Sequence, residues 1–208
     1  MLNDEYGNKV STNSAEAADF YIKGTHQFLG AEPGVEDSFR SAIDADPEFA
    51  LAHIGYAREM QLRGRSTDMR QALERAIKYA GNLSEREQSH LNVSSLLLRG
   101  KSTEARLAVY EHVTHWPRDV LIAQMCTSVF GLIGFSGLPG REAEQLSFLS
   151  NLSTHYGENW WHKAQLAFAQ LEVGQLHEAA TNIEKALLLN PDSAHSKHIK
   201  AHLFYENL

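Results

Sequence analysis

Apolar residues recur three and four positions apart along most of the chain, as in Leu166, Phe168, Leu171 and Val173 or in Ile183, Leu187 and Leu188. That is the spacing of one face of an α-helix, and no alternating strand pattern is evident. Glycine punctuates the pattern at Gly30, Gly64, Gly100, Gly134 and Gly174, with separations of 34, 36, 34 and 40 residues. Pro47, Pro117 and Pro191 each follow one of these glycines by 17 residues. A period near 34 predicts stacked helix pairs, with the glycine in the turn and the proline stopping the second helix. Ser84 followed by Glu87 predicts a capping box that opens a helix running to about Arg99, and Asp119 after Pro117 predicts the cap of the next helix. Ten or eleven helices result. With no linker long enough to separate domains, residues 1–208 are expected to form a single helical-repeat domain of about five helix pairs plus a final unpaired helix.

The last complete unit shows the grammar best. Counting Trp160 as position 1 places Leu166, Ala167, Gly174, Ala179, Ala186 and Pro191 at positions 7, 8, 15, 20, 27 and 32. These are the small and apolar positions of the tetratricopeptide repeat, where small residues let two antiparallel helices approach closely. Weaker copies carry Gly30, Phe39, Ala42 and Pro47, and then Gly100, Ala105 and Pro117, while the second and fourth units carry insertions. The expected fold is all-α, a tetratricopeptide-repeat-like right-handed superhelix of antiparallel helix pairs, an α-solenoid.

A closer resemblance rests on particular stretches. They are Tyr6-Gly7-Asn8 with Ser11-Thr12, Phe49-Ala50-Leu51-Ala52-His53, Arg86-Glu87-Gln88-x-His90 and Trp116-Pro117-Arg118-Asp119. The run from Val129 to Gly137, Pro139-Gly140-Arg141-Glu142, Trp160-Trp161 and His198-x-x-Ala201-His202 complete the set. In these the chain resembles the tetratricopeptide repeat protein 38 family, especially its bacterial members. The resemblance implies an all-helical repeat architecture and no particular reaction or partner. Members of that family are about twice as long and continue with further helical repeats, so this chain is expected to correspond to the N-terminal half.

Composition narrows the function classes. Nineteen Lys and Arg against 26 Asp and Glu give a formal charge of -7, which argues against a general nucleic-acid surface. The lone Cys126 forbids an intrachain disulfide, and with no signal-peptide pattern and no apolar run long enough for a membrane span the expected location is cytoplasmic. No cofactor is expected.

In stacked helix pairs the first helix of each pair lines a concave face, and positions 5, 9 and 12 point into it. Arg58, His90, Ser94, Gln124, Ser128 and Phe168 are the candidate groove residues among them. Only Arg58 and His90 carry cationic character, too few for a carboxylate clamp; a mixed polar and aromatic groove suits an extended peptide or a small organic ligand, and an ordinary solvated face has the same composition.

Three further features compete with plain structural roles. His198, His202 and Glu206 are spaced four apart on one helix, with His195 three before the first, which permits metal capture; HExxH and clustered cysteines are absent, so solvated histidines explain them equally. The loop from Gly134 to Glu142 offers Ser136, Gly137 and Arg141 as an anion or ligand loop, against a permissive connection that needs its glycines for backbone angles. Trp160 and Trp161 point about 100° apart, so at most one is expected wholly in the core. His112 and His115, at a helix end, read as structural.

The leading expectation is a non-catalytic scaffold whose groove binds a protein or peptide segment. The alternative is a hydrolase-like or metal-assisted enzyme built from His53, His90, His198 and His202. The final helix, with Ile199, Leu203, Phe204 and Tyr205 uncovered, suggests a homodimer through that end.

Overall fold

The computed structural model describes residues 2–206. Within them the chain forms eleven α-helices: α1 (Ala15–Gly30), α2 (Val35–Ala45), α3 (Ala50–Leu62), α4 (Ser66–Lys78), α5 (Glu85–Leu98), α6 (Ser102–His115), α7 (Val120–Ala123), α8 (Arg141–Tyr156), α9 (Trp160–Glu172), α10 (Leu176–Leu189) and α11 (Ala194–Glu206). Two compact units result. One takes in the chain up to Phe28 together with Pro33–Ile122, and the other Leu29–Glu32 together with the chain from Ala123 onward.

In the first unit the pairs α3–α4 and α5–α6 pack closely, and in the second unit α9 packs on α10. Three glycines close these pairs in the same way. Gly64, Gly100 and Gly174 adopt φ of 71°, 74° and 79°, the left-handed region that favours glycine. The residue after each donates its amide back across the turn, Arg65 to the Met60 carbonyl at 2.9 Å, Lys101 to Leu96 at 2.9 Å and Gln175 to Gln170 at 2.8 Å. Orphan carbonyls at the helix end are thereby satisfied, and the second helix folds back on the first. Gly30 and Gly134 depart from this rule. The positive φ after α1 falls on Ala31 instead, and Gly134 lies in a short 3-10 turn where a Cβ would collide with the Val129 carbonyl.

Burial separates the two helices of each pair. Helix α9 buries Trp160, Trp161 and most of its length, whereas α10 buries only Ala179, Ile183 and Ala186. Helices α3 and α4 show the same contrast. A helix covered on several sides is apolar nearly all round, while its partner keeps a polar outer face. This explains why both tryptophans are buried, at 6% and 0% exposure, against the expectation that only one would be. Small residues set the spacing: a Cβ on Gly55 of α3 would lie 2.4 Å from the Phe39 ring of α2, so the ring packs directly on the α3 backbone.

Two further features differ from the sequence expectations. Residues Leu2–Asn3 and Lys9–Val10 pair as a two-stranded antiparallel hairpin, closed by Asp4, whose Oδ1 accepts from the Tyr6 amide at 2.9 Å and the Asn8 amide at 2.8 Å. Strands of two residues are too short to show a period. In the fourth repeat, α7 ends after four residues and gives way to 3-10 turns at Gln124–Cys126 and Gly134–Ser136, so the first helix of that unit is broken. No helix among the described residues is long and apolar enough to cross a membrane.

Candidate functional site

The capping box at the start of α5 is present, and its carboxylate does more than cap. Glu87 accepts from the Ser84 amide at 3.0 Å and hydroxyl at 2.7 Å, from the Ser11 amide at 2.7 Å and from the Ser11 hydroxyl. Arg86 and His90, one turn apart on the same face of α5, both reach Asp119. Arg86 Nη1 donates to Asp119 Oδ2 at 2.5 Å, and His90 Nδ1 lies 3.0 Å from each carboxylate oxygen. His112 Nε2, from α6, is 3.2 Å from the same Oδ2. The second Arg86 nitrogen donates to the Lys9 carbonyl at 2.8 Å, which fastens the hairpin to the cluster.

Asp119 is 3% exposed. Burial alone raises its pKa, but His90, His112 and Arg86 together outweigh that and hold it well below the usual carboxylate range. Burial opposes the Arg86 charge, and the Asp119 carboxylate overcomes it, so the guanidinium pKa is raised. His112 is pushed down by burial despite the carboxylate. A neutral His112 protonated on Nε2 suits both neighbours, since Nδ1 then accepts from the Ser89 hydroxyl at 2.8 Å.

Serine, histidine and aspartate thus stand in line. Ser89 lies inside α5, where its own backbone amide is committed to the helix. The cluster's contacts join the N-terminal hairpin, α5, α6 and the start of α7, which is a positioning role for the fold. Asp119 therefore spends its side chain on the cluster rather than on capping α7, and His112 is a member of the cluster rather than a helix-end cation. The signal for it in the sequence was the Arg86 and His90 pair on one helix face.

The candidate groove residues divide between the units. In the first, Arg58 is half-buried over the Phe28 ring at 5.9 Å and bonded to Gln61, and burial pushes its pKa down to about 10. His90 and Ser94 are instead buried, at 1% and 0% exposure, because their face of α5 packs inside the unit. In the second unit Gln124 and Ser128 are half-buried, and Phe168 packs into the core of Ile183, Ile199 and Leu203 with the His202 ring edge-on at 6.3 Å.

Of the histidines proposed for an enzyme site, two lie in each unit. His53 donates from Nε2 to the Pro47 carbonyl at 2.9 Å and stacks on Tyr79, while His90 serves Asp119. In the second unit His198 and His202 face each other with their Nε2 atoms 3.0 Å apart. Neither Glu206 nor His195 completes a set with them, since no group of three or more His, Cys, Asp or Glu side chains among the described residues is arranged to hold a metal ion. Burial pushes His195 down to about 4. In the loop, Arg141 is engaged by Glu142 at 2.8 Å and the Gly134 carbonyl at 3.3 Å, Ser136 Oγ accepts from the Leu138 amide at 3.3 Å, and Gly137 takes φ of 70°. These hydrogen bonds run between the loop's own residues.

What the loop does present is apolar. Phe130 and Phe135 are 77% and 71% exposed and contact each other at 5.5 Å between ring centroids, with Leu138 exposed nearby in sequence. At the C-terminal end Ile199 and Leu203 are buried after all, against the α9 and α10 residues of their core, whereas Phe204 and Tyr205 remain exposed.

The helix pairs, their left-handed glycine turns and the buried first helices define a tetratricopeptide-repeat-like all-α protein. No protein-family model matches the chain, and no curated protein matches it. Among solved structures it is similar to YrrB, a TPR protein described as having an unusual peptide-binding site, at 13% identity and a TM-score of 0.46 over 91% of this chain and 94% of that one.

Proposed function

We propose that the chain is a non-catalytic helical-repeat scaffold that binds a protein or peptide segment, with the first helices of its pairs providing the binding face. The tetratricopeptide repeat protein 38-like assignment and the reading of residues 1–208 as one helical-repeat domain belong to the same proposal. The observation that carries it is the exposed aromatic pair Phe130–Phe135. A chain that buries Trp160, Trp161, Phe39 and Phe49 leaves two phenyl rings in solvent where the fourth repeat's first helix breaks. Exposed, clustered aromatic side chains mark interaction sites, since burying them releases apolar surface at low cost in side-chain entropy.

Gln124 and Ser128, just before these rings in the chain and half-buried, supply hydrogen-bonding groups of the kind an extended peptide backbone needs. Arg58 keeps its proposed role as a groove residue, and His90, Ser94 and Phe168 drop out because of their burial. Selection from a displayed peptide library against the wild-type chain and a Phe130→Ala/Phe135→Ala variant tests the reading. Peptides enriched on the wild type and not on the variant support it; identical selections overturn it.

A further inference from the structure

A second surface, in the first unit, has a different chemistry. Helices α2, α3 and α4 enclose a cavity of about 330 Å³ lined by Arg40, Asp44, His53, Tyr56, Arg65 and Arg75 among others. Its size is that of a pocket for one or two side chains or a small ligand. Arg65 is already neutralised, since it meets Glu36 at 2.8 Å and Asp68 at 2.6 Å. Arg40 has only a distant partner in Glu36 at 3.8 Å, and both Arg40 and Arg75 are exposed.

His53 lines the same cavity, is 2% exposed, and spends its Nε2 proton on the Pro47 carbonyl. Its other ring nitrogen, Nδ1, is buried with no hydrogen-bond partner. Burial, with Arg75 adding to it, lowers the pKa of His53, so the ring is neutral and Nδ1 is a bare acceptor. A buried acceptor without a donor is costly, and a donor from a ligand relieves it.

The cavity wall itself carries three arginines, Arg40, Arg65 and Arg75, against two carboxylates, Asp44 and Asp68. With Arg65 and Asp68 paired to each other, Arg40 and Arg75 outnumber Asp44, so the wall suits an occupant that brings negative charge, with an N–H or O–H donor for His53. An acidic peptide segment brings both, as side-chain carboxylates and backbone amides.

We propose that the cavity between α2, α3 and α4 is a docking site for an acidic peptide segment of a partner protein, with Arg40 and Arg75 holding its carboxylates and His53 and Tyr56 its donor groups. The site is separate from the aromatic pair and does not rest on it.

The test is fluorescence anisotropy with a fluorescein-labelled dodecapeptide of alternating Glu and Ser, beside its Gln-for-Glu counterpart and a labelled twelve-nucleotide oligothymidine. The expected result is binding of the Glu peptide alone, weakened at least about fivefold by Arg40→Gln or Arg75→Gln and measurably by Tyr56→Phe, and left within about twofold by Arg99→Gln, an exposed arginine outside the cavity. All four positions are exposed or half-buried, so the variants are expected to fold. Absence of binding, equal binding of the Gln peptide, preference for the oligonucleotide, or equal effects of Arg99→Gln and Arg75→Gln each overturn the proposal. Phe130→Ala/Phe135→Ala separates the two readings. Retained acidic-peptide binding in that variant supports the cavity, and its loss overturns the cavity while leaving the aromatic surface standing.

Discussion

Arg86 Nη1 and Asp119 Oδ2 meet at 2.5 Å with both side chains almost wholly out of water. Two opposite charges so placed are each costly alone and tolerable only together. His90 and His112 share the same carboxylate, and Arg86 carries the contact on to Lys9, so the N-terminal hairpin depends on a charge more than a hundred residues away in sequence.

Removing the anion leaves the guanidinium buried without its main partner. Asp119→Ala is expected to destabilise the fold by about 3–5 kcal/mol. Urea unfolding followed by circular dichroism checks this, and a loss below about 1 kcal/mol would show that the cluster does not tie the hairpin to α5.

Close helix packing is equally open to test. A Cβ on Gly55 would enter the Phe39 ring, whereas Gly100 has open space around it but a left-handed φ of 74°. Gly55→Ala is expected to cost about 1–3 kcal/mol through overpacking. Gly100→Ala, which meets only backbone strain, is expected to cost about 1 kcal/mol. Thermal melts of the two variants rank them, and equal losses would contradict the packing argument.

Acid should weaken the fold in two stages. His53, His112, His162 and His195 have lowered pKa values in the folded chain, His195 to about 4. Between the ordinary value near 6.5 and the folded value, the unfolded chain binds more protons, so stability is full above pH 6.5 and declines as the pH falls. Asp119 follows the same sign at lower pH, its contribution being lost as the pH falls from the ordinary carboxylate value through its depressed one. His195→Gln is expected to remove up to about 3 kcal/mol of the decline between pH 6.5 and 4. Urea midpoints measured across that range decide, and an unchanged slope in the variant would contradict the assignment.

The repeat grammar was readable in the sequence because it depends on backbone geometry. Gly64, Gly100 and Gly174 sit where only glycine turns the chain easily, and Pro47, Pro117 and Pro191 follow helices that end two residues earlier. The Asp119 cluster was not readable in the same way. Its members lie on α5, α6 and the approach to α7, and their meeting depends on how those helices pack, which periodicity does not encode. His90 shows the limit: its position in the repeat predicted a groove residue, and the neighbouring charge of Asp119 drew it inside. The aromatic pair was missed for another reason. Phe130 and Phe135 sit in an apolar run that looks like core, and only the broken helix at Gln124–Cys126 turns them outward.

Phe130→Ala and Phe135→Ala remove exposed rings, so each is expected to change stability by no more than about 0.5 kcal/mol. A larger loss on thermal unfolding would mean that the rings serve the fold.

The most direct measurement of the binding proposal is a nuclear magnetic resonance titration of the labelled chain with a library-selected peptide. The account predicts shifts concentrated on Gln124–Leu138, abolished by Phe130→Ala/Phe135→Ala. Shifts that avoid this segment, or that survive unchanged in the variant, would contradict it.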